Sequence, residues 1–115
     1  MKHILIADDD RSMANLIARA LPDCSVTVAH NGLEALALAS SLPSCDLLIT
    51  DDLMSTLMGD ELTGRLRESR PALKTLLITG HGALVDADAC PTDALLSKPL
   101  HIAELRQTIT SLIGH

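Results

Sequence analysis

Cys45-Asp46-Leu47-Leu48-Ile49-Thr50-Asp51-Asp52-Leu53-Met54 is the stretch that decides how this chain folds. An apolar run over residues 47–49 ends abruptly in two carboxylates, the pattern of a buried strand whose C-terminal tip opens into a polar crevice. Three other apolar runs end in the same way. Ile4-Leu5-Ile6-Ala7 runs into Asp8 and Asp9, Leu76-Leu77-Ile78 into Thr79, and Leu95-Leu96-Ser97 into Lys98. If these strands are parallel, all of the polar groups meet on one edge of one sheet.

The segments between the strands read as helices. Met13, Leu16, Ile17, Ala20 and Leu21 repeat at helical spacing, after a start capped by Asp10 or Ser12 and before Pro22. Residues 25–29 are short and β-branched, a second strand, followed by the turn His30-Asn31-Gly32 and an Ala/Leu-rich helix over 33–40. Leu62 and Leu66 mark the apolar side of a third helix that stops before Pro71, with Arg65, Arg67 and Glu68 as its solvated face. Residues 83–89, bracketed by Gly82 and Pro91, read as a short helix or an irregular loop. Residues 94–97 give the fifth strand, and Ile102, Leu105, Ile109, Leu112 and Ile113 stripe a closing helix whose cap is His101.

Strands alternating with helices through short connections imply parallel pairing by right-handed crossovers. The fold expected is α/β, a flavodoxin-like (βα)5 doubly wound parallel sheet in the order 2-1-3-4-5 with a short or irregular fourth helix. Its switch point falls between the first and third strands, where Asp8, Asp9 and Asp51 flank the ligand crevice of this architecture.

Bulk composition narrows the function. The 115 residues suit a single domain, 1–115, without an output domain. Phe, Tyr and Trp are all absent, so functions that need an aromatic platform are excluded and the core is aliphatic. A net charge of −6 with no Lys/Arg cluster argues against nucleic acid as a partner. Cys24, Cys45 and Cys90 have no metal-type spacing and fit reduced thiols used as buried filler. The N-terminus reads neither as a signal peptide nor as a membrane span, and a cytoplasmic location is expected.

Three carboxylates in one crevice repel, so they hold a cation or shift their pKa values. Mg²⁺ suits such a site: it takes carboxylate oxygens, a backbone carbonyl and waters, and leaves room for a phosphate. A carboxylate beside that ion, a threonine hydroxyl and an ammonium is equipped for phosphoryl transfer, with an aspartate nucleophile forming an acyl phosphate.

Over essentially its whole length the chain resembles the receiver domains of two-component response regulators, in the stand-alone form similar to the chemotaxis receivers. The resemblance rests on Leu5-Ile6-Ala7-Asp8-Asp9-Asp10, Asp46-Leu47-Leu48-Ile49-Thr50-Asp51, Gly59 eight residues after Asp51, Ile78-Thr79-Gly80-His81-Gly82 and Ser97-Lys98-Pro99. It implies that Asp51 is the phospho-acceptor, with Thr79 the switch hydroxyl and Lys98 the ion-pair partner of the phosphoryl group. Asp9 would bind Mg²⁺ directly, Asp8 through water, and Asp51 and the Leu53 carbonyl would complete the metal site. A cis peptide bond is implied between Lys98 and Pro99. The donor would be a histidine kinase or histidine phosphotransferase domain and the output an unidentified protein target, with catalysis limited to the domain's own phosphorylation and dephosphorylation.

Several positions depart from the family pattern. Ser55 stands where Pro is usual, and Asp52 replaces an apolar neighbour. Leu95 and Leu100 replace the usual aromatics, which excludes an aromatic-rotamer switch, and the span from Thr79 to Lys98 is shortened. Signal would therefore leave through Thr79 and the loop after it, or through the third or the closing helix. Leu53 and His81 occupy the positions that tune acyl-phosphate hydrolysis.

Blander readings stand beside these. Asp10 is a helix cap or a solvated residue, and the five histidines, His3, His30, His81, His101 and His115, lack ligand spacing and suit surface or cap positions. Two other functions compete with the receiver: a receiver-like adaptor that works without phosphorylation, and a phosphatase of the haloacid-dehalogenase type. The second finds an Asp-x-Asp after the first strand, yet Arg11 and Ser12 do not continue its pattern and Asp51-Asp52 precedes Thr79 and Lys98 when it should follow them.

Overall fold

The computed structural model describes residues 2–51, 59–80 and 92–114. Five strands form one sheet: β1 (His3–Ala7), β2 (Ser25–Ala29), β3 (Leu47–Asp51), β4 (Lys74–Thr79) and β5 (Ala94–Ser97). All neighbouring pairs are parallel and the spatial order is β2-β1-β3-β4-β5, the order expected from the sequence. Four helices are described: α1 (Arg11–Arg19), α2 (Gly32–Ser41), α3 (Gly59–Ser69) and α4 (Ile102–Ile113). The short or irregular helix expected over 83–89 lies outside the described residues, as do Leu53, Ser55, His81 and Cys90.

Strand alternation divides the core in two. Ile4 and Ile6 of β1, Leu47 and Ile49 of β3, and Leu76 and Ile78 of β4 point to one face, where Ala14 and Ile17 of α1 and Leu105 and Ile109 of α4 cover them. Leu5, Ala7 and Leu48 point to the other, under Ala35 and Ala39 of α2 and Leu62 and Leu66 of α3. A sheet covered on both faces needs strands that are apolar throughout, which is why its central strands lack the polar alternation of a solvated sheet.

Capping residues set the helix starts. The Asp10 carboxylate accepts from the backbone N–H groups of Ser12 and Met13, so it caps α1. Asn31 caps α2 by accepting from Glu34 N–H at 2.8 Å, while the Glu34 carboxylate reaches back to His30 N–H. The α1 stripe differs from expectation at one position: Leu16 is 43% exposed, and Ala14 takes the buried place. His101 stands at the N-cap of α4 but makes no capping hydrogen bond with its side chain, so the cap expected of it is not formed.

Two arginines expected to be solvated or unremarkable hold elements together. Arg70, just past α3, donates to the carbonyls of Ala39 at 2.8 Å and Leu42 at 2.6 Å, satisfying acceptors at the open end of α2. Arg67 forms an ion pair with Asp93, the residue before β5, and Asp93 in turn accepts from Thr75 N–H at 2.8 Å on β4. This cluster ties α3, β4 and the start of β5 at the edge opposite the strand tips. Burial alone would raise the Asp93 carboxyl, but hydrogen bonds from Thr75 and the Arg67 guanidinium outweigh it and hold the carboxyl below its ordinary value.

Because the folded form of Asp93 binds its proton less tightly than the unfolded chain, its contribution to stability is present above about pH 4 and is lost as the pH falls through the lowered value. We predict that Asp93→Ala lowers unfolding free energy at pH 7 by about 1–3 kcal/mol. In urea titrations the difference from the parent should shrink below about pH 4; a deficit that is the same at every pH would contradict this account.

Candidate functional site

The strand tips converge as parallel pairing requires. Asp8 follows the last residue of β1, Asp51 is the last of β3, Thr79 the last of β4, and Lys98 follows β5. The Asp8 N–H donates to the Ala29 carbonyl at 3.1 Å, extending the β1–β2 ladder by one rung and fixing Asp8 at the switch point. Lys98 N–H donates to the Thr79 carbonyl at 2.7 Å, which does the same between β4 and β5. The Lys98–Pro99 bond is cis, as the resemblance implied.

Asp8, Asp9 and Asp51 each offer a carboxylate oxygen, and these atoms all lie within 4.8 Å of one another. Asp8 and Asp51 are 2% and 6% exposed, whereas Asp9 faces solvent. The Lys98 ammonium is 3.1 Å from Oδ2 of Asp51. Thr79 is fully buried at the neighbouring tip. Of the residues proposed from sequence, Asp8, Asp9, Asp51 and Lys98 are thus brought together, with Thr79 beside them on β4; Leu53 lies outside the described residues.

Burial pushes the Asp8 carboxyl up to about 6, a hydrogen bond from Asp10 N–H works against that shift, and the nearby Asp51 charge adds to it. A crowded set of hard oxygen donors with one carboxyl raised in this way fits a small divalent cation, because bringing a dication to the group removes the cause of the repulsion.

A second layer escaped the reading of the sequence. A Cβ on Gly59, the first residue of α3, would lie 2.3 Å from the Asp51 carbonyl oxygen and 2.9 Å from Cδ1 of Leu77, so this glycine is required by close approach. Thr50 and Thr63 are fully buried hydroxyl residues beside it: Thr50 Oγ1 donates to the Asp51 carbonyl at 2.9 Å and Thr63 Oγ1 to the Gly59 carbonyl at 2.8 Å. The traces in the sequence are the separation of Gly59 from Asp51 and a threonine inside an otherwise aliphatic strand.

Among the described residues no helix is long and apolar enough to cross a membrane. The response regulator receiver domain family matches residues 4–110. The chain is 39% identical to the response regulator receiver protein CpdR of Brucella abortus over 119 residues, covering 98% of each. It is 36% identical to a response regulator receiver protein of Anaeromyxobacter, covering 91% of this chain but 46% of that longer protein. The crystal structure of the response regulator TrrA from Thermotoga maritima, in complex with Mg²⁺-BeF, is similar at a TM-score of 0.86 and 29% identity, with 97% of this chain and 99% of that chain covered.

Two outcomes test the geometry. A raised carboxyl binds its proton more tightly in the folded chain, so Asp8 contributes stability below about pH 4 that is lost as the pH rises through about 6. Without divalent ions, Asp8→Asn should therefore be more stable than the parent at pH 8, by on the order of 2 kcal/mol, with the advantage fading toward pH 4; a gain independent of pH would refute the assigned cause. Gly59→Ala should cost about 1–3 kcal/mol of stability, because its nearest contact is backbone that cannot swing aside. A thermal midpoint equal to the parent's would show that the contact relaxes freely.

Proposed function

The chain belongs to the response regulator receiver domain family, and on that premise we propose that it accepts a phosphoryl group on Asp51 from a phosphohistidine and signals by binding another protein. The observation that carries this reading is the placement of Lys98 Nζ 3.1 Å from Oδ2 of Asp51, at a rim where Asp8 and Asp9 offer oxygens within 4.8 Å. An Asp51 carboxylate oxygen attacks phosphorus, a P–O bond forms as the P–N bond to imidazole breaks, and the departing imidazole takes up a proton.

The residues divide the work. Lys98 holds the acceptor carboxylate and then faces the added phosphoryl oxygens, a charge-assisted contact that orients as well as stabilises. Thr79 supplies the hydroxyl nearest the tip of β4. Asp8, Asp9 and Asp51 would hold Mg²⁺, which when bound neutralises charge developing on the phosphoryl oxygens. The Mg²⁺-BeF complex of TrrA supports that choice of ion.

The donor is a histidine kinase or a histidine phosphotransferase domain. Residues 1–115 act as a single receiver unit in the cytoplasm, and the coverage of both this chain and CpdR at 98% supports reading them as one unit. Nucleic acid has no part in it, since a −6 chain without a basic cluster lacks the electrostatic means to hold a phosphate backbone.

Incubation with acetyl phosphate and Mg²⁺ should add one phosphoryl mass to the intact chain. Asp51→Asn should abolish the gain and Asp9→Ala should abolish the Mg²⁺-dependent labelling, while the circular dichroism of both variants stays that of the parent. Undiminished labelling of Asp51→Asn would end the reading, and undiminished labelling of Asp9→Ala would overturn the metal assignment.

A further inference from the structure

The reacting carboxylate sits on the last residue of β3, where the sheet's hydrogen-bonded ladder gives out, so something beyond the ladder must fix the peptide that leaves Asp51. Thr50 is fully buried within β3, and its hydroxyl donates to the Asp51 carbonyl at 2.9 Å. On its other side that carbonyl meets the backbone of Gly59, closely enough that a Cβ there would stand 2.3 Å from the oxygen. Gly59 is secured in turn by Thr63, fully buried, whose hydroxyl donates to the Gly59 carbonyl at 2.8 Å.

We propose that the Thr50 hydroxyl is a positioning group for phosphoryl transfer: by holding the Asp51 carbonyl against the first turn of α3 it fixes the rotation of the Asp51 backbone and so the aim of its carboxylate. The inference rests on the reading of Asp51 as the acceptor. Its chemistry is specific to a hydroxyl. Valine has nearly the same shape and a higher strand preference, and a buried hydroxyl is unfavourable unless it is bonded. Packing alone would be served by Val after Leu47, Leu48 and Ile49; what threonine adds is the donor. An in-line attack on phosphorus is sensitive to aim, because a displacement of about 1 Å at a reacting group costs orders of magnitude in rate.

The test separates the hydroxyl from the volume it fills. With acetyl phosphate and Mg²⁺, the maximal labelling rate and the half-saturating donor concentration are measured for the parent, Thr50→Val and Thr50→Ser, beside their thermal midpoints. Thr50→Val should label about ten-fold more slowly at saturation with an unchanged half-saturating concentration. Thr50→Ser should keep the rate within about three-fold, although loss of the methyl group makes it the less well packed of the two. If Thr50→Val does not fold, Thr50→Cys takes its place, since its thiol is only a weak donor. A Val or Cys variant that labels at the parent rate, or a Ser variant as slow as Val, overturns the proposal while labelling of the parent keeps Asp51 as the acceptor; a parent that takes up no phosphoryl group overturns both.

Discussion

Two carboxylates of like charge are held at the tips of adjacent strands with water largely excluded. Asp8 and Asp51 are 2% and 6% exposed, and Asp8 is raised to about 6, mainly by burial and further by Asp51. Nothing in the two side chains favours that closeness. It is imposed by the register of β1 on β3, in which Ala7 pairs with Thr50 and the residues that follow arrive side by side. The repulsion is offset locally by the Lys98 ammonium and by Asp10 N–H bound to Asp8. Three carboxylates against one ammonium leave the rim negative, and attraction for a divalent cation follows from that imbalance.

The two faces of the sheet hold this arrangement differently. Under α1 and α4 the contacts are those of Ile and Leu with Ala14, a dry aliphatic layer that stiffens β1, β3 and β4. Toward α3 the strands present Thr50 and Thr75, both fully buried, beside Leu48, and α3 answers with Thr63 and Gly59 beside Leu62 and Leu66. At the Asp51–Gly59 contact, hydroxyls and a bare glycine let the backbones approach and bond directionally. The face that touches the acceptor residue therefore adds directed hydrogen bonds at the Asp51–Gly59 contact to an aliphatic layer built on Leu48, Leu62 and Leu66, while the opposite face is organised by volume alone.

Most of this architecture was legible in the sequence because burial on both faces leaves an unmistakable mark: short apolar runs over 4–7, 47–49 and 76–78, each ending in a polar residue. Parallel pairing then places the tips on one rim, so four distant polar groups could be grouped without any coordinate. Periodicity was a poorer guide where two helical stripes fit equally well, as in α1, where Leu16 turned outward and Ala14 inward. It placed Arg67 on a solvated face and said nothing of Asp93, although the two meet across 26 residues. Likewise Gly59 could be located by its separation from Asp51, but its purpose depends on a backbone approach that no residue pattern encodes. Helix capping is legible for Asp10 and misleading for His101, since an N-cap needs a short side chain with an acceptor oxygen, which an imidazole does not offer.

The absence of aromatic residues constrains how a change at the rim reaches the surface. Leu95 and Leu100 are half-buried aliphatics, and a rotamer change in either displaces little volume and carries no hydroxyl to a new partner. Backbone contact works on a different scale. The Asp51 carbonyl abuts the first residue of α3 with no side chain between them, so a shift of that peptide has no soft intermediary in which to dissipate. From that contact α3 runs outward to Arg65 and Glu68, both exposed, and to Arg67, which grips Asp93 ahead of β5. On the proposed function, α3 thus has the acceptor at one end, a charged outer face along its length, and a hold on the strand that precedes Lys98.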